Sequence, residues 1–354
     1  MVFRLFKNFG QPDLDWIQLE ITTKCNSECI YCPHIFYSDT KDMPLSIFCK
    51  IIPFLKNTRL VYLQGWGEPL LNQNIFEMIR LCKLKGKQVG FTTNGMLLNE
   101  QTINVLIELK LDILCVSLAG TTPDTHNTLR KGNTFEKIIS NLLLLNQIKN
   151  IKGSTLPRIH LAYIMLKSNF EEIRDVISLA KMLNAKQVVA SNLTLILKKD
   201  LYEASLFNNK INLEYYVSVL EEIKEKALTD NIVFDYRDPI LLDSFQQCSE
   251  NVTFSSVIDV DGNISPCVFT MPSLYKNLKY RDDKIPVHYF KDKVFPVYEL
   301  NFGNITYESF GEIWDKMKYI DFRKIFNLSK RVTTYSNRLD IPDCCKSCYK
   351  SLSA

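Results

Sequence analysis

The sequence has no long apolar run. No stretch reaches the roughly 18 uncharged apolar residues that a membrane helix needs. The richest, residues 138–148, is broken by Ser140, Asn141, Asn146 and Gln147. No charge sign dominates: 43 Lys and Arg face 39 Asp and Glu, a net +4, too mild to argue for nucleic acid. There is no internal repeat and no low-complexity segment, and 46% apolar with 23% charged residues are ordinary globular values. The opening MVFRLFKNFGQPDLDW carries neither the apolar core nor the small-residue cleavage site of a secretory signal. These absences predict a cytoplasmic globular protein with reduced thiols and no membrane partner. At 354 residues its core needs no disulfide staple.

What the chain does have is eleven cysteines, unevenly placed. Cys25, Cys29 and Cys32 form one cluster and Cys344, Cys345 and Cys348 another, with Cys248 and Cys267 on either side of a turn. Clustered thiols in a reduced compartment point to metal ligation rather than disulfides. Cys49, Cys82 and Cys115 lie in apolar patterns and read as core residues. His126, His160 and His288 have no partner visible in the sequence and read as structural.

The first two-thirds alternates strand-like and helix-like segments. Strands are predicted at 16–22, 60–64, 88–93, 113–118, 159–166, 187–191 and 232–236. Helices are predicted at 45–55, 75–85, 99–109, 135–148, 169–183 and 215–228. Asn99 is a plausible cap, and Asn169 with Glu172 has a capping-box spacing. Apolar strands separated by helices indicate βα units and a parallel sheet. Six or more units point to an α/β fold built as a partial (β/α)6 TIM-type barrel over residues 1–238. An open doubly wound sheet would use the same units, and strand order separates the two. Beyond residue 238 the pattern changes to a small irregular domain, 239–354. It opens with a hairpin about Asp261-Gly262, passes an exposed charged loop at 276–298, and includes a helix at 309–319.

Cys25-x3-Cys29-x2-Cys32 follows the first strand directly, at the end of a barrel strand where such folds carry out chemistry. Three thiolates can hold three irons of a cubane and leave the fourth open. The same cysteines with His34 also make a legitimate structural zinc set. Gln64-Gly-Trp-Gly-Glu-Pro69 ends the second strand, where Gly65 and Gly67 allow close backbone approach and Pro69 fixes the turn. A carboxylate or carbonyl there could accept from an ammonium group.

Spacing and placement together resemble the radical S-adenosylmethionine (radical SAM) superfamily. The resemblance implies a [4Fe-4S] cluster on Cys25, Cys29 and Cys32. Its open iron chelates SAM, and electron transfer yields methionine and a 5′-deoxyadenosyl radical that abstracts hydrogen from substrate. Tyr31 matches the aromatic beside the adenine site. Gly65, Gly67, Glu68 and Pro69 match the Gly-Gly-Glu-Pro element that binds the SAM amino group, with Trp66 in place of its first glycine. Asn94 falls in a Thr-Asn-Gly element, Ser117 ends the fourth strand where a polar residue often meets SAM, and Arg130 matches a basic residue that pairs with its carboxylate. Asn192, ending the sixth strand, is a further candidate.

The tail resembles a shortened SPASM domain. Cys248-x13-Gly262-x4-Cys267 with Cys345-x2-Cys348 implies one auxiliary [4Fe-4S] cluster, Cys344 being possible in place of Cys345. A zinc ribbon is the alternative for such pairs. The wording QGWGEPLLN, SLAGTTPDTHNTLRKG, GNISPC and FGNI is similar to that of tungsten-containing aldehyde ferredoxin oxidoreductase cofactor-modifying proteins and other SPASM maturases. The resemblance implies a radical enzyme maturing a peptide, protein or cofactor, supplied with electrons by a flavodoxin- or ferredoxin-type donor. Two alternatives remain at this stage: a radical dehydrogenase of a small molecule such as an amino sugar or polyol, and a zinc-binding scaffold without redox chemistry. The first strand begins by Trp16, so no peptide-recognition domain is expected ahead of the barrel.

Overall fold

A computed structural model describes residues 13–208, 212–242, 248–279, 285–328 and 341–353. Most of the opening segment read above, residues 1–12, lies outside the described residues, as do residues 280–284 of the charged stretch. Seven parallel strands follow one another in space as they do in sequence: β1 Leu14–Leu19, β2 Thr58–Tyr62, β3 Gln88–Thr93, β4 Ile113–Leu118, β5 Arg158–Met165, β6 Gln187–Asn192 and β7 Val233–Tyr236. Sequential order is the barrel arrangement, and it removes the doubly wound alternative. The helices between them are α1 Leu45–Ile51, α2 Ile75–Leu84, α3 Glu100–Glu108, α4 Pro123–Leu129, α5 Phe135–Ile151, α6 Val176–Met182, α7 Lys199–Ala204 and α8 Leu213–Thr229.

The strands alternate. In β5, Ile159, Leu161, Tyr163 and Met165 are fully buried, while His160, Ala162 and Ile164 face the more open barrel interior. The interior floor is polar and hydrogen-bonded. Tyr62 and Thr92 share a hydroxyl bond of 2.9 Å, Thr92 donates to Gln64 Oε1 at 2.7 Å, and the Gln18 amide donates to the Gln64 carbonyl at 3.0 Å.

The tail joins the same sheet. β8 Ser255–Ile258 pairs in parallel with β1, Trp16 opposite Ser255, and β9 Asn263–Ser265 returns antiparallel across the Asp261-Gly262 turn. The charged stretch is not an exposed loop where it is described. It supplies α9 Pro272–Lys279 and a hairpin of β10 Val287–Phe290 with β11 Lys293–Pro296. Phe290 and Val297 are buried there, so the charges decorate a packed element. A two-residue strand β12, Gly303–Asn304, ends the ten-stranded sheet.

The helix expected at 309–319 is two, α10 Phe310–Trp314 and α11 Met317–Leu328. Ser309 and Glu312 form a full capping box on α10. Phe302 stacks on Tyr319 at 4.0 Å, and the Arg323 guanidinium lies 3.8 Å over Trp314. Cys82 and Cys115 are buried, but Cys49 is exposed, because Phe48 and Ile51 carry the inward face of α1.

The expected capping box at Asn169 is also rearranged. Asn169 caps the β5 turn through the Leu166 amide at 2.8 Å. Glu172 instead reaches the N-terminus of α4. It accepts from Thr121 N at 2.7 Å, Thr122 N at 3.2 Å, the Thr122 hydroxyl at 2.9 Å and the Thr125 hydroxyl. Burial opposes this charge, but those donors outweigh it and hold Glu172 below the ordinary carboxylate range. The depressed pKa keeps the cap's full contribution above the unfolded carboxylate's pKa and loses it as pH falls through the folded one. Glu172→Ala is expected to destabilise by about 1–2 kcal/mol at pH 7 and to lower the melting temperature by a few degrees, read by thermal unfolding, with Glu172→Gln intermediate. An unchanged melting temperature would remove Glu172 as the α4 cap.

Candidate active site

The loop after β1 is clamped from both sides. Thr23 bonds Lys41 twice through the backbone and its hydroxyl, and Lys24 pairs with Asp42 at 2.8 Å. On the far side Glu28–Cys29 forms a short antiparallel ladder with Arg130–Lys131, Cys29 opposite Arg130, and Ile30 N donates to the Leu129 carbonyl. Cys32 N closes a tight turn on the Cys29 carbonyl at 3.0 Å. The thiols of Cys25, Cys29 and Cys32 lie within one another's electrostatic reach. Burial pushes the Cys25 thiol up, and burial with the Cys29 thiol pushes Cys32 to about 12. Such thiols give up their protons on ligation.

The Gly-Trp-Gly-Glu loop packs against this loop backbone to backbone. A Cβ at Gly67 would lie 2.5 Å from the Thr22 carbonyl oxygen and 2.6 Å from that of Lys24, so only glycine fits. Glu68 N donates to the Lys24 carbonyl at 2.7 Å. The Glu68 carboxylate is buried and accepts from the Thr93 hydroxyl at 2.7 Å, Asn94 N at 2.7 Å and Leu70 N at 3.3 Å. Pro69 opens the short turn Pro69–Leu71. With its carboxylate so engaged, Glu68 ties two loops together. Among the described residues the carbonyls of Gly65, Trp66 and Gly67 accept nothing, leaving them to meet an ammonium group.

The Asn94 amide donates to Asn26 Oδ1 at 2.7 Å and Ser27 Oγ at 2.9 Å, and so braces the cysteine loop. Arg130 is 7% exposed and donates through Nη1 to the Tyr31 hydroxyl at 2.7 Å. Its Nε is buried with no partner. A buried guanidinium with a donor to spare fits a carboxylate ligand. Ser117, one residue before the end of β4, is half-buried, opposite Ala162 and apart from these contacts. Asn192 is buried at the end of β6, its amide on the Arg237 carbonyl at 2.8 Å.

Sequence reasoning passed over Asn26, Ser27 and Asn133. Ser27 donates to Asn133 Oδ1 at 2.9 Å, and the Asn133 amide lies 3.9 Å from Cys29 Sγ. The available signal was their position, inside the cysteine spacing and three residues after Arg130.

In the tail Cys248, Cys267, Cys344, Cys345 and Cys348 line one cavity, together with Glu250, His288, Ser347 and Lys350. Burial raises Cys248 to about 12 and Cys348 to about 11, and holds Cys267 well above the usual thiol. Cys345 lies in the field of Cys348 and Cys267, whereas Cys344 meets only Cys345, at 3.7 Å, and Asp343. Among these thiols Cys267 and Cys348 thus each neighbour Cys248 and Cys345, while Cys344 neighbours Cys345 alone.

Among the described residues no group of three or more His, Cys, Asp or Glu side chains is arranged to hold a single metal ion. Zinc needs its ligands drawn to about 2.0–2.3 Å of one point, whereas a cubane presents a separate iron to each thiolate. His34 Nε2 is already bonded to the Thr23 carbonyl at 2.8 Å.

Comparison with known proteins agrees with this geometry. Residues 19–180 match the family model of the radical SAM superfamily, and residues 248–349 match the SPASM iron-sulfur cluster-binding domain. The chain is similar, at 23% identity over 317 residues, to a tungsten-containing aldehyde ferredoxin oxidoreductase cofactor-modifying protein of Pyrococcus furiosus, covering 88% of this chain and 84% of the relative. It is 23% identical over 271 residues to a probable GTP 3′,8-cyclase of Methanocaldococcus jannaschii, covering 73% and 86%. Streptococcus suis SuiB bound to S-adenosylmethionine superposes with a TM-score of 0.65 at 14% identity, covering 96% of this chain and 71% of that one. Native anSMEcpe with bound AdoMet and Cp18Cys peptide gives 0.61 at 20%, covering 96% and 88%. At these identities the likeness to solved structures is one of fold.

Cys344→Ala is expected to keep the iron content of anaerobically reconstituted protein, about eight per chain for two cubanes. Cys345→Ala is expected to lose about half of it. The reverse result would make Cys344 the ligand.

Proposed function

The chain is a radical SAM enzyme with a SPASM domain, and from that premise we propose that it matures a peptide, protein or cofactor by hydrogen abstraction. One observation carries the SAM site: Arg130, buried beside the cysteine loop and laddered to it through Cys29, keeps an unpartnered Nε. When bound, the cluster and SAM supply a one-electron cleavage that releases methionine and a 5′-deoxyadenosyl radical.

The chain's own residues do the rest. Cys25, Cys29 and Cys32 would hold three irons of the cluster and leave its fourth for the ligand. Arg130, its orientation set by Tyr31, would take the SAM carboxylate. The carbonyls of the Gly65–Gly67 loop accept from the SAM ammonium, while Glu68 and Asn94 keep that loop and the cysteine loop in register. Ser117, half-buried near the end of β4, would meet the SAM ribose or carboxylate. Cys248, Cys267, Cys345 and Cys348 would hold the auxiliary cluster; with four protein thiolates as its ligands it would have no iron free for substrate, which suits electron relay.

The maturase reading is supported by the relative named for cofactor modification; a solved structure of similar fold holds a peptide. We place the division between barrel and tail near residue 238, the location in the cytoplasm, and the electron source in a flavodoxin- or ferredoxin-type protein. No described helix is long and apolar enough to cross a membrane.

Anaerobic protein given dithionite and SAM is expected to form 5′-deoxyadenosine slowly without substrate. Cys29→Ala is expected to abolish this while keeping the auxiliary irons. Arg130→Lys is expected to raise KM for SAM by about tenfold or more, since a point charge replaces a bidentate fork. Deuterium passing from a labelled peptide into 5′-deoxyadenosine would identify the substrate class; 5′-deoxyadenosine formation that survives in Cys29→Ala would overturn the assignment.

A further inference from the structure

We propose that Glu20 is a positioning residue that couples the C-terminal domain to the loop holding SAM, an inference that rests on the SAM site proposed above. Glu20 follows β1 directly and its side chain is wholly buried. Oε1 accepts from Trp66 N at 3.2 Å. Oε2 accepts from the Ser273 hydroxyl on α9 at 2.6 Å and from Val260 N, just past β8, at 3.4 Å. The loop also presses on it sterically. A Cβ at Gly65 would lie 2.2 Å from Glu20 Cγ and 2.7 Å from Oε1. One carboxylate thus takes a bond from the Gly-Trp-Gly loop and two from the tail.

The groups that face Glu20 are few. The Trp66 and Val260 amides and the Ser273 hydroxyl are donors. Asp259, from the end of β8, has its own carboxylate occupied by the amides of Asp261, Asn263 and Ser273 and by the Asn263 side chain. The Tyr37 hydroxyl, buried without a partner among the described residues, lies in the field of Glu20, Cys32 and Asp259. No cation stands among the groups that shift Glu20.

Burial, and after it Asp259, raise Glu20 to about 7 against the pull of its three donors. A raised carboxylate pKa means that the ionised form costs folding stability, fully so above pH 7. The charge is therefore not there for stability. The ionised form satisfies all three donors. The protonated form carries a hydrogen into a ring of donors and gives up part of its hold on the loop.

Glu20→Gln separates this role from a merely structural one. Its Oε1 can still accept from Trp66, but its amide nitrogen would face the Val260 amide, donor against donor. SAM affinity is measured by equilibrium binding to reconstituted protein between pH 6 and 8. Wild type is expected to bind more weakly as pH falls through about 7, and Glu20→Gln to be flat across that range. At pH 8 Glu20→Gln is expected to bind about 3–10-fold more weakly, a shift the size of one hydrogen bond. KM for SAM should rise with it while kcat stays within about twofold, and the melting temperature should not fall, since a buried charge has been removed. Ser273→Ala, far along the chain from every SAM contact, is expected to weaken SAM binding in the same direction. Variants that bind SAM as wild type does at every pH would overturn the proposal while leaving the SAM site standing. So would a Glu20→Gln loss accompanied by lower melting temperature and lower iron content, which marks a structural role. Wild-type protein that holds its clusters and binds no SAM would overturn both.

Discussion

The loops at the carboxyl end of the sheet meet with no room for side chains between them, and the rest of the site follows from that contact. Gly67 lies on the carbonyls of Thr22 and Lys24, and Glu68 N bonds the second of them. Once two backbones touch, their remaining polar groups must be satisfied internally. The buried Glu68 carboxylate does this for β3 by taking the Asn94 amide and the Thr93 hydroxyl. Asn94 then passes the constraint to Asn26 and Ser27, and Ser27 to Asn133, beside Cys29. A chain of short hydrogen bonds therefore runs from the second strand's loop to the cysteine loop and on to the segment bearing Arg130. The polar residues that do this are structural, and their precision is what leaves a few groups, the Arg130 Nε and the loop carbonyls, available to a ligand.

The C-terminal domain is continuous with the barrel rather than appended to it. β8 extends the parallel sheet beside β1, and β9 and β12 extend it further. The strand that launches the cysteine loop is thus flanked by β2 on one side and by the tail on the other. Trp16, Ile17, Gln18 and Leu19 each have a partner in β8. A displaced tail would leave a row of unpaired β1 backbone groups, which is costly in a buried sheet. The same logic explains why the polar pair Glu20 and Asp259 sits at this seam: the strands' ends bring both carboxylates to one place, and the donors of two turns gather around them.

The sequence made the strand-and-helix alternation legible because hydrophobic periodicity is a local signal. β3 and β4 fall on the expected residues, and Asn99 caps α3 through the Thr102 amide. The cysteine positions were legible because ligation needs fixed residue types at fixed spacing. What escaped was decided by distant partners. Glu172 has the spacing of a local capping box, yet its carboxylate serves a helix some 50 residues earlier in the chain, which no window of sequence displays. The β10–β11 hairpin was hidden because its exposed face carries charges while its inward face packs on a cluster contributed by α7 and the C-terminus. Glu68 carried a ligand's expectation from its motif. Its surroundings show that a conspicuous carboxylate can be a brace between loops, which the sequence does not display.

The two thiol sites share one apolar cluster, and this bears on how they can work together. Tyr31 lies between Cys29 and Cys32, and Tyr349 follows Cys348 directly. Both belong to the cluster that includes Leu193, Ile196, Tyr202 and Phe290, where Tyr349 packs on Phe207 at 4.3 Å and on Phe290 at 4.8 Å. Thr194 and Leu195, leaving β6, line the cavity of the second cysteine set. The barrel's own loop therefore forms part of the auxiliary site, and the tail's aromatic residues pack with the cysteine loop of the first. Apolar packing of this kind is dense and resists rearrangement, so the two cysteine loops are held relative to one another by this cluster. A relay between two centres requires a fixed separation and a medium free of mobile charge. The packing between the two cysteine loops is built from tyrosine, phenylalanine and leucine side chains drawn from distant parts of the chain.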